Sequence, residues 1–140
     1  LEDIIGGELV IIRKRLEEHE AILTQIIVHY DQIYSGSAPW MGATAVRTST
    51  EILLEHRLKD ILPNPSKGVR TLANLSDQLK RHDRGVNRKV LGSIGVIRTI
   101  VGDTTHNLEA TKEEYLTVLQ RFAEVVEWHL STPPKSIIDI

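Results

Sequence analysis

A heptad pattern over residues 8–34 is the feature of this 140-residue chain that most constrains its fold. Apolar or ambivalent residues recur there at alternating steps of three and four, at Leu9, Ile12, Leu16, His19, Leu23, Ile26, Tyr30 and Ile33. Because residues spaced in this way share one face of an α-helix, the pattern predicts a long amphipathic helix. Such a helix has to bury its apolar face against other parts of the chain.

The same periodicity predicts four further helices. Their expected ranges are about 40–61, 72 to the HDRG stretch at 82–85, 86–102 and 111–131. Stretches rich in proline, glycine and serine separate the helices at 35–39 and 62–68. Strand signals are weak throughout the chain. The sequence therefore predicts an all-α fold, a single up-down bundle of about five helices.

Glycines and caps define two of these helices more closely. Thr111 is predicted to cap the fifth helix, with Glu114 completing a capping box. Gly102 is predicted to end the fourth helix in a left-handed turn. Gly92 and Gly95 lie inside the fourth helix and each cost roughly 1 kcal/mol relative to alanine. They indicate either the close approach of a neighbouring element or a bend.

Composition excludes several classes of function. The chain has no cysteine, so disulfides, thiolate metal sites and cysteine nucleophiles are absent. A net charge of −2 does not match the broad basic surface of a dedicated duplex-DNA binder, although a local cluster can still touch a phosphate. The sequence shows no membrane span, paired-histidine metal motif or glycine-rich phosphate loop. We expect a cytoplasmic protein with no metal, cofactor or membrane partner.

The length suits one domain with a real core. We expect residues 1–132 to form the helical domain and 133–140 to form a C-terminal tail or linker, because Pro133 and Pro134 end the last helix. The chain begins with Leu1 and not with Met. We therefore expect it to be a portion of a longer protein whose other domains are among its partners.

Arg47 and Glu51 lie four residues apart on the second helix, on a stripe that continues into Leu54 and Leu58. An ion pair beside an apolar face is partly desolvated and therefore costly to keep. Two interpretations stay open at this point. The pair is either a structural contact at the rim of the core or part of a polar cleft.

The stretch IRTIVGDTTHN at 97–107 places Arg98 eight residues before His106. In an unbroken helix such residues lie about 12 Å apart along the axis and could not act on one atom. A break at Gly102 lets the following loop fold back. Histidine can then move a proton at a ribose hydroxyl while arginine holds the phosphate, without a metal. The alternative is a capped helix end with a solvent-exposed histidine.

These residues together resemble the HEPN superfamily (higher eukaryotes and prokaryotes nucleotide-binding domains) over about residues 40–130. The similarity rests on Arg47 and Glu51, a leucine-rich third helix, IRTIVGDTTH and a final amphipathic helix with Trp128. It is greatest to the bacterial branch whose fourth helix ends in a pattern like IRxxGNxAxH. The resemblance implies a four- or five-helix up-down bundle that is usually dimeric. Catalytic members are metal-independent endoribonucleases, with an arginine and a histidine at the dimer interface, and often serve in toxin–antitoxin, abortive-infection or CRISPR-associated defence.

The resemblance assigns the catalytic roles to Arg98 and His106, with supporting positions at Asp103, Asn107, Arg47 and Glu51. Catalytic members typically space the pair more closely, and Asp103 stands where the bacterial branch usually has asparagine. We therefore predict a dimerising, nucleic-acid-associated interaction module of a bacterial defence or regulatory protein, with RNA, a nucleotide or an antitoxin as further partners. The alternative is a metal-independent endoribonuclease of the toxin or defence type.

Overall fold

The computed structural model describes residues 2–18, 39–62, 71–102 and 110–136. Within these ranges the chain forms five helices: α1 (Glu2–Glu18), α2 (Pro39–Lys59), α3 (Leu72–His82), α4 (Arg88–Val101) and α5 (Lys112–Ser131). They pack as an all-α bundle, which confirms the predicted fold class. No β-strand occurs in the described residues, where a single antiparallel bridge joins Asp83 to Ser136.

The helix boundaries follow the sequence pattern closely except in α1. This helix begins at Glu2 and not at residue 8, so the expected start is wrong. Glu2 and Asp3 place acidic side chains in its first turn, where they interact favourably with the helix dipole. The predicted continuation of the helix over residues 19–34 lies outside the described residues.

Helix α5 forms the centre of the bundle. Helices α1, α2 and α4 all pack on it, whereas α3 packs on α2 and α4. Among the described helices, α1 contacts α5 alone. The core is mainly aliphatic, and among the described residues its three aromatic side chains all belong to α5: Tyr115, Phe122 and Trp128.

Ion pairs show that α1 runs parallel to α5. Glu2 at the start of α1 pairs with Lys112 at the start of α5, with 2.6 Å between Oε1 and Nζ. Arg15 near the end of α1 pairs with Glu127 near the end of α5 at 2.8 Å. We call these two ends of the bundle the α5 N-terminal end and the α5 C-terminal end.

Helix α2 is also parallel to α5, since Gly42 packs on Tyr115 at one end and Arg57 contacts His129 at the other. A Cβ atom built on Gly42 would lie 2.6 Å from the ring of Tyr115, so only glycine permits this approach. Burial raises the pKa of Tyr115 to about 12.

Helix α4 is antiparallel to α5. Ser93 in the middle of α4 bonds to Glu124 in the middle of α5, whereas Gly85, just before α4 begins, accepts a hydrogen bond from Trp128 near the end of α5.

The predicted helix ends are largely confirmed. Thr111 and Glu114 form the expected capping box at the start of α5. Gly102 ends α4 with a φ of 76° and donates its backbone N–H to the carbonyl of Arg98 at 2.7 Å. Its ψ of −179° lies outside the left-handed helical region, so the expected left-handed turn is wrong in detail. This backbone conformation is essentially restricted to glycine.

Gly92 and Gly95 do not mark a close approach between described elements. A Cβ atom built on either residue meets nothing within 4 Å. Both glycines are exposed on α4. No helix in the described part of the chain is long and apolar enough to cross a membrane.

Candidate functional site

The predicted catalytic pair can be followed only as far as Gly102. Arg98 is exposed in the last turn of α4. Asp103, His106 and Asn107 lie outside the described residues. The helix does end at Gly102, which is the condition for Arg98 and His106 to act together. Their cooperation stays a prediction.

Arg47 and Glu51 form the predicted ion pair, with 3.6 Å between Arg47 Nε and Glu51 Oε1. The two side chains are 9% and 18% exposed, so the pair is largely removed from solvent. Nε and Nη1 of Arg47 nevertheless lack a hydrogen-bond partner, as does the hydroxyl of Ser49. Each unsatisfied buried group costs roughly 1–3 kcal/mol. Native proteins usually complete the bonding of such groups with an ordered water or a ligand.

Arg47 and Arg98 lie toward the same end of the bundle. Helix α2 begins at the α5 N-terminal end, where Gly42 meets Tyr115. Helix α4 runs in the opposite direction and therefore ends there, at Gly102. The fold thus directs both predicted arginines toward the end from which the 103–109 segment leaves α4.

A second polar cluster was not predicted from the sequence, and it lies at the α5 C-terminal end. Arg57 is fully buried and forms an ion pair with Asp83, which is also fully buried. Its Nη1 donates a hydrogen bond to the carbonyl of Thr132 at 2.7 Å and lies 3.1 Å from Nδ1 of His129. The guanidinium carbon sits 3.8 Å from the ring centre of Trp128, in cation–π contact. We call these residues the Arg57 cluster.

Asp83 connects the Arg57 cluster to the backbone on both sides of it. Its carboxylate accepts hydrogen bonds from the N–H groups of Gly85 at 2.8 Å and Lys135 at 3.4 Å. Arg84 donates its backbone N–H to the carbonyl of Lys135 at 2.8 Å. The indole of Trp128 donates to the carbonyl of Gly85 at 2.9 Å. Residues 132–136 are thereby fastened to the turn between α3 and α4.

The imidazole of His129 is engaged in structure and not poised for proton transfer at neutral pH. Burial, together with the neighbouring charges of Arg57 and His56, lowers the pKa of His129 to about 4. The ring is therefore neutral near pH 7 and can accept a hydrogen bond from Arg57. A sequence signal did exist for this cluster, because Asp83 is the single acid in the basic stretch KRHDRGVNRK at 80–89.

A groove of about 870 Å³ runs over α5 between α1 and α4. Its apolar lining includes Ile12, Val90 and Val126. Ser93 donates a hydrogen bond to Glu124 at 2.6 Å, which lowers the pKa of that carboxyl with help from nearby Arg121. Two ion pairs border the groove, Arg15 with Glu127 and Arg121 with Glu124.

Metal coordination finds no support in the described residues, where no three His, Asp or Glu side chains converge on one point. Comparisons with protein-family models, with curated proteins and with solved structures find no match. The function therefore has to be argued from the surfaces and side chains of this chain. The similarity to HEPN domains stays a prediction from the sequence.

Proposed function

We propose that this chain is an interaction module that forms a homodimer through the outer face of α1. The observation that carries the proposal is the position of its exposed apolar side chains. In the described residues, the large hydrophobic side chains that are exposed all belong to α1: Ile4 (54%), Val10 (65%) and Ile11 (54%). Apolar surface concentrated on one element is typical of a protein–protein contact.

Helix α1 carries two seams at heptad spacing. The inner seam joins the core over α5 and comprises Ile5, Leu9 and Ile12. The outer seam is exposed and comprises Ile4, Gly7, Ile11 and Lys14, in steps of three and four. Two such seams allow α1 to pack between two helices, with α5 on the inner seam and a partner helix on the outer seam.

Charge favours a second copy in the antiparallel direction. Asp3 and Lys14 are exposed near opposite ends of the outer seam. In an antiparallel pair that aligns Ile4 with Ile11 of the partner subunit, Asp3 lies about 3 Å along the axis from Lys14 of the partner subunit. A parallel pair would instead place like charges together, which is unfavourable. The outer seam is therefore complementary to itself.

Gly7 supports a close contact at the middle of this seam. Glycine inside a helix costs roughly 1 kcal/mol relative to alanine. A Cβ atom on Gly7 would meet nothing within 4 Å, so packing inside the chain does not require glycine there. A partner helix lying across the seam would explain it, since glycine lets two helix backbones approach closely.

The contact is expected to be weak. One exposed helix offers less than the roughly 800 Å² per partner of a standard interface. Burial of each exposed isoleucine contributes about 1.5–3 kcal/mol, part of which offsets the entropy lost on association. We expect a dissociation constant in the micromolar range.

Sedimentation equilibrium over micromolar concentrations tests the proposal. We expect Ile11→Ser to lower the dimer affinity at least tenfold, because it removes apolar surface from the seam without adding charge. Gly7→Ala should also weaken the dimer, whereas Gly92→Ala is a matched control, because Gly92 is an exposed helical glycine of α4 with nothing within 4 Å of a built Cβ atom. A wild-type chain that stays monomeric, or equal effects of the two glycine variants, would contradict the proposal.

A metal-independent endoribonuclease is the second candidate. Two observations support it: α4 ends at Gly102, four residues after Arg98, and Arg47 has buried N–H groups without a hydrogen-bond partner. This candidate predicts cleavage of single-stranded RNA in EDTA, lost in His106→Ala and in Arg98→Ala. Cleavage that persists in a folded His106→Ala variant would exclude it. Neither result bears on the α1 dimer, which sedimentation measures separately.

A further inference from the structure

We propose that the α5 C-terminal end of the bundle binds the phosphate backbone of duplex nucleic acid. The surface involved, which we call the basic patch, surrounds the turn between α3 and α4. Its exposed members are Lys80, Arg81, Arg84, Arg88, Lys89 and Lys135. The basic patch is separate from the outer seam of α1 and from Arg98, so this inference does not depend on the proposed dimer.

The stretch at 80–89 presents a positive surface because its one acid, Asp83, is directed inward. Residues 80–89 contain five lysine or arginine residues and a single acid, Asp83. Asp83 is only 2% exposed and forms its ion pair with Arg57 inside the molecule. The surface of this stretch therefore keeps its positive charge although the whole chain has a net charge of −2.

Three of these six cations are not neutralised by a carboxylate of the described residues. Arg81 pairs with Asp77 at 3.2 Å. Lys89 is close enough to Glu124 to help lower the pKa of that carboxyl. No carboxylate in the described residues forms an ion pair with Lys80, Arg88 or Lys135. Lysine and arginine side chains that are grouped on one surface and are not neutralised by carboxylates are the usual contacts of a phosphate backbone.

The Arg57 cluster holds this surface in place. The carboxylate of Asp83 binds the backbone of Gly85 and Lys135, and the backbone of Arg84 bonds to that of Lys135. Positions from α3, α4 and the C-terminal segment are thereby fixed relative to one another before any ligand arrives. Less conformational entropy is lost on binding when the contact groups are positioned in advance.

The side chains around the patch favour a duplex over the other polyanions. Proteins that bind single strands stack the bases on aromatic side chains. No tryptophan, tyrosine or phenylalanine in the described residues is exposed, and Trp128 at this end is buried against Arg57. A membrane surface would call for apolar side chains beside the cations, but in the described part of the chain the exposed large hydrophobic residues are those of α1. Contact with the phosphate backbone of a duplex needs neither exposed aromatic side chains nor exposed apolar side chains.

Fluorescence anisotropy with a labelled DNA duplex of about 20 base pairs tests the inference, using the full chain at several salt concentrations. We expect micromolar binding at low salt, with an affinity that falls as salt rises because counterions are released. Arg88→Glu should weaken binding at least fivefold and make the salt dependence shallower. Lys112→Glu changes the net charge equally at the opposite end and should have less than a twofold effect.

Arg88→Glu should fold, because an acidic residue is favourable in the first turn of a helix. Lys135→Glu provides an independent variant whose described contacts are made by its backbone and not by its side chain. Equal losses in Arg88→Glu and Lys112→Glu, or no duplex binding at low salt, would overturn the inference. So would tighter binding to a single strand, or to phosphatidylserine vesicles, than to the duplex.

Discussion

Two buried arginines on α2 differ sharply in how they are bonded. Arg57 has an ion pair, a carbonyl acceptor, an imidazole neighbour and an aromatic ring, and only its Nη2 lacks a hydrogen-bond partner. Arg47 has one carboxylate at 3.6 Å and two nitrogens without a partner. Burial of a charge is costly unless its hydrogen bonds are satisfied. Arg57 therefore has a structural role, whereas the bonding of Arg47 is incomplete and assigns it no such role.

The largest effect is expected at Arg57. Arg57→Met leaves Asp83 buried without its counter-charge and should lower the free energy of unfolding by about 3–5 kcal/mol. Asp83→Leu should cost a similar amount for the reciprocal reason. Urea denaturation measures both. The double variant should lose clearly less than the sum of the single losses, and simple additivity would show that the two charges are not coupled.

The second largest effect is the dependence of stability on pH that arises from His129 in the Arg57 cluster. The pKa of His129 is about 4 in the folded chain, below the 6.5 of an ordinary histidine. The unfolded chain therefore binds more protons between these values, and stability is lost as pH falls from 6.5 toward 4. We expect a loss of about 2 kcal/mol, reduced from the full linkage value because the ring is partly accessible to solvent.

Denaturation of wild type and His129→Asn at pH 7 and pH 4.5 isolates this contribution. Asparagine keeps an acceptor for Arg57 but does not titrate in this range. The difference in stability between the two pH values should be smaller in the variant. An identical difference would mean that His129 is not buried in its neutral form.

The third prediction concerns the α5 N-terminal end of the bundle, where α4 ends at Gly102. Gly102→Ala places a side chain on a backbone conformation with a positive φ and should cost roughly 1–3 kcal/mol. Gly95→Ala is the matched control, because Gly95 is helical, exposed and free of contacts within 4 Å. That variant should gain up to about 1 kcal/mol. Thermal unfolding of both variants should therefore shift in opposite directions, and equal shifts would place Gly102 in ordinary helix.

The smallest effect on stability is expected at Arg47 itself. Arg47→Met removes a buried charge whose N–H groups are poorly satisfied, so the free energy of unfolding should change by less than about 1 kcal/mol. The same denaturation assay measures it beside Arg57→Met. A loss as large as that of Arg57→Met would show that Arg47 is structural after all, and the contrast between the two arginines would fail.

Local patterns in the sequence identify the helices well. Heptad steps, the capping box at Thr111 and the glycine at 102 each depend on neighbouring residues. The structure agrees with the last two apart from the ψ of Gly102, and it agrees with the heptad helix as far as Glu18 apart from the early start of α1. The ion pair of Arg47 and Glu51 was predictable for the same reason, since residues four apart share a helix face. The incomplete hydrogen bonding of Arg47 was not predictable, because it depends on which groups from other helices pack around the side chain.

The Arg57 cluster could not be predicted from periodicity. Its members come from α2, the α3–α4 turn and α5, and nothing in the spacing of Arg57 and Asp83 indicates that they meet. The burial of Asp83 is also what makes the neighbouring surface positive. Contacts between residues far apart in the sequence therefore form the Arg57 cluster and shape the basic patch. The predicted partners of Arg98, in contrast, lie outside the described residues.

Disulfide cross-linking tests the α1 homodimer most directly, because the chain has no cysteine of its own. Two single variants, Ile4→Cys and Ile11→Cys, are oxidised separately and as a mixture. In the antiparallel pair, identical positions lie about 10 Å apart along the axis, whereas position 4 faces position 11 of the partner subunit. We expect a covalent dimer in the mixture and little in either variant alone. Cross-linking of each variant alone, or none in the mixture, would contradict the proposed dimer.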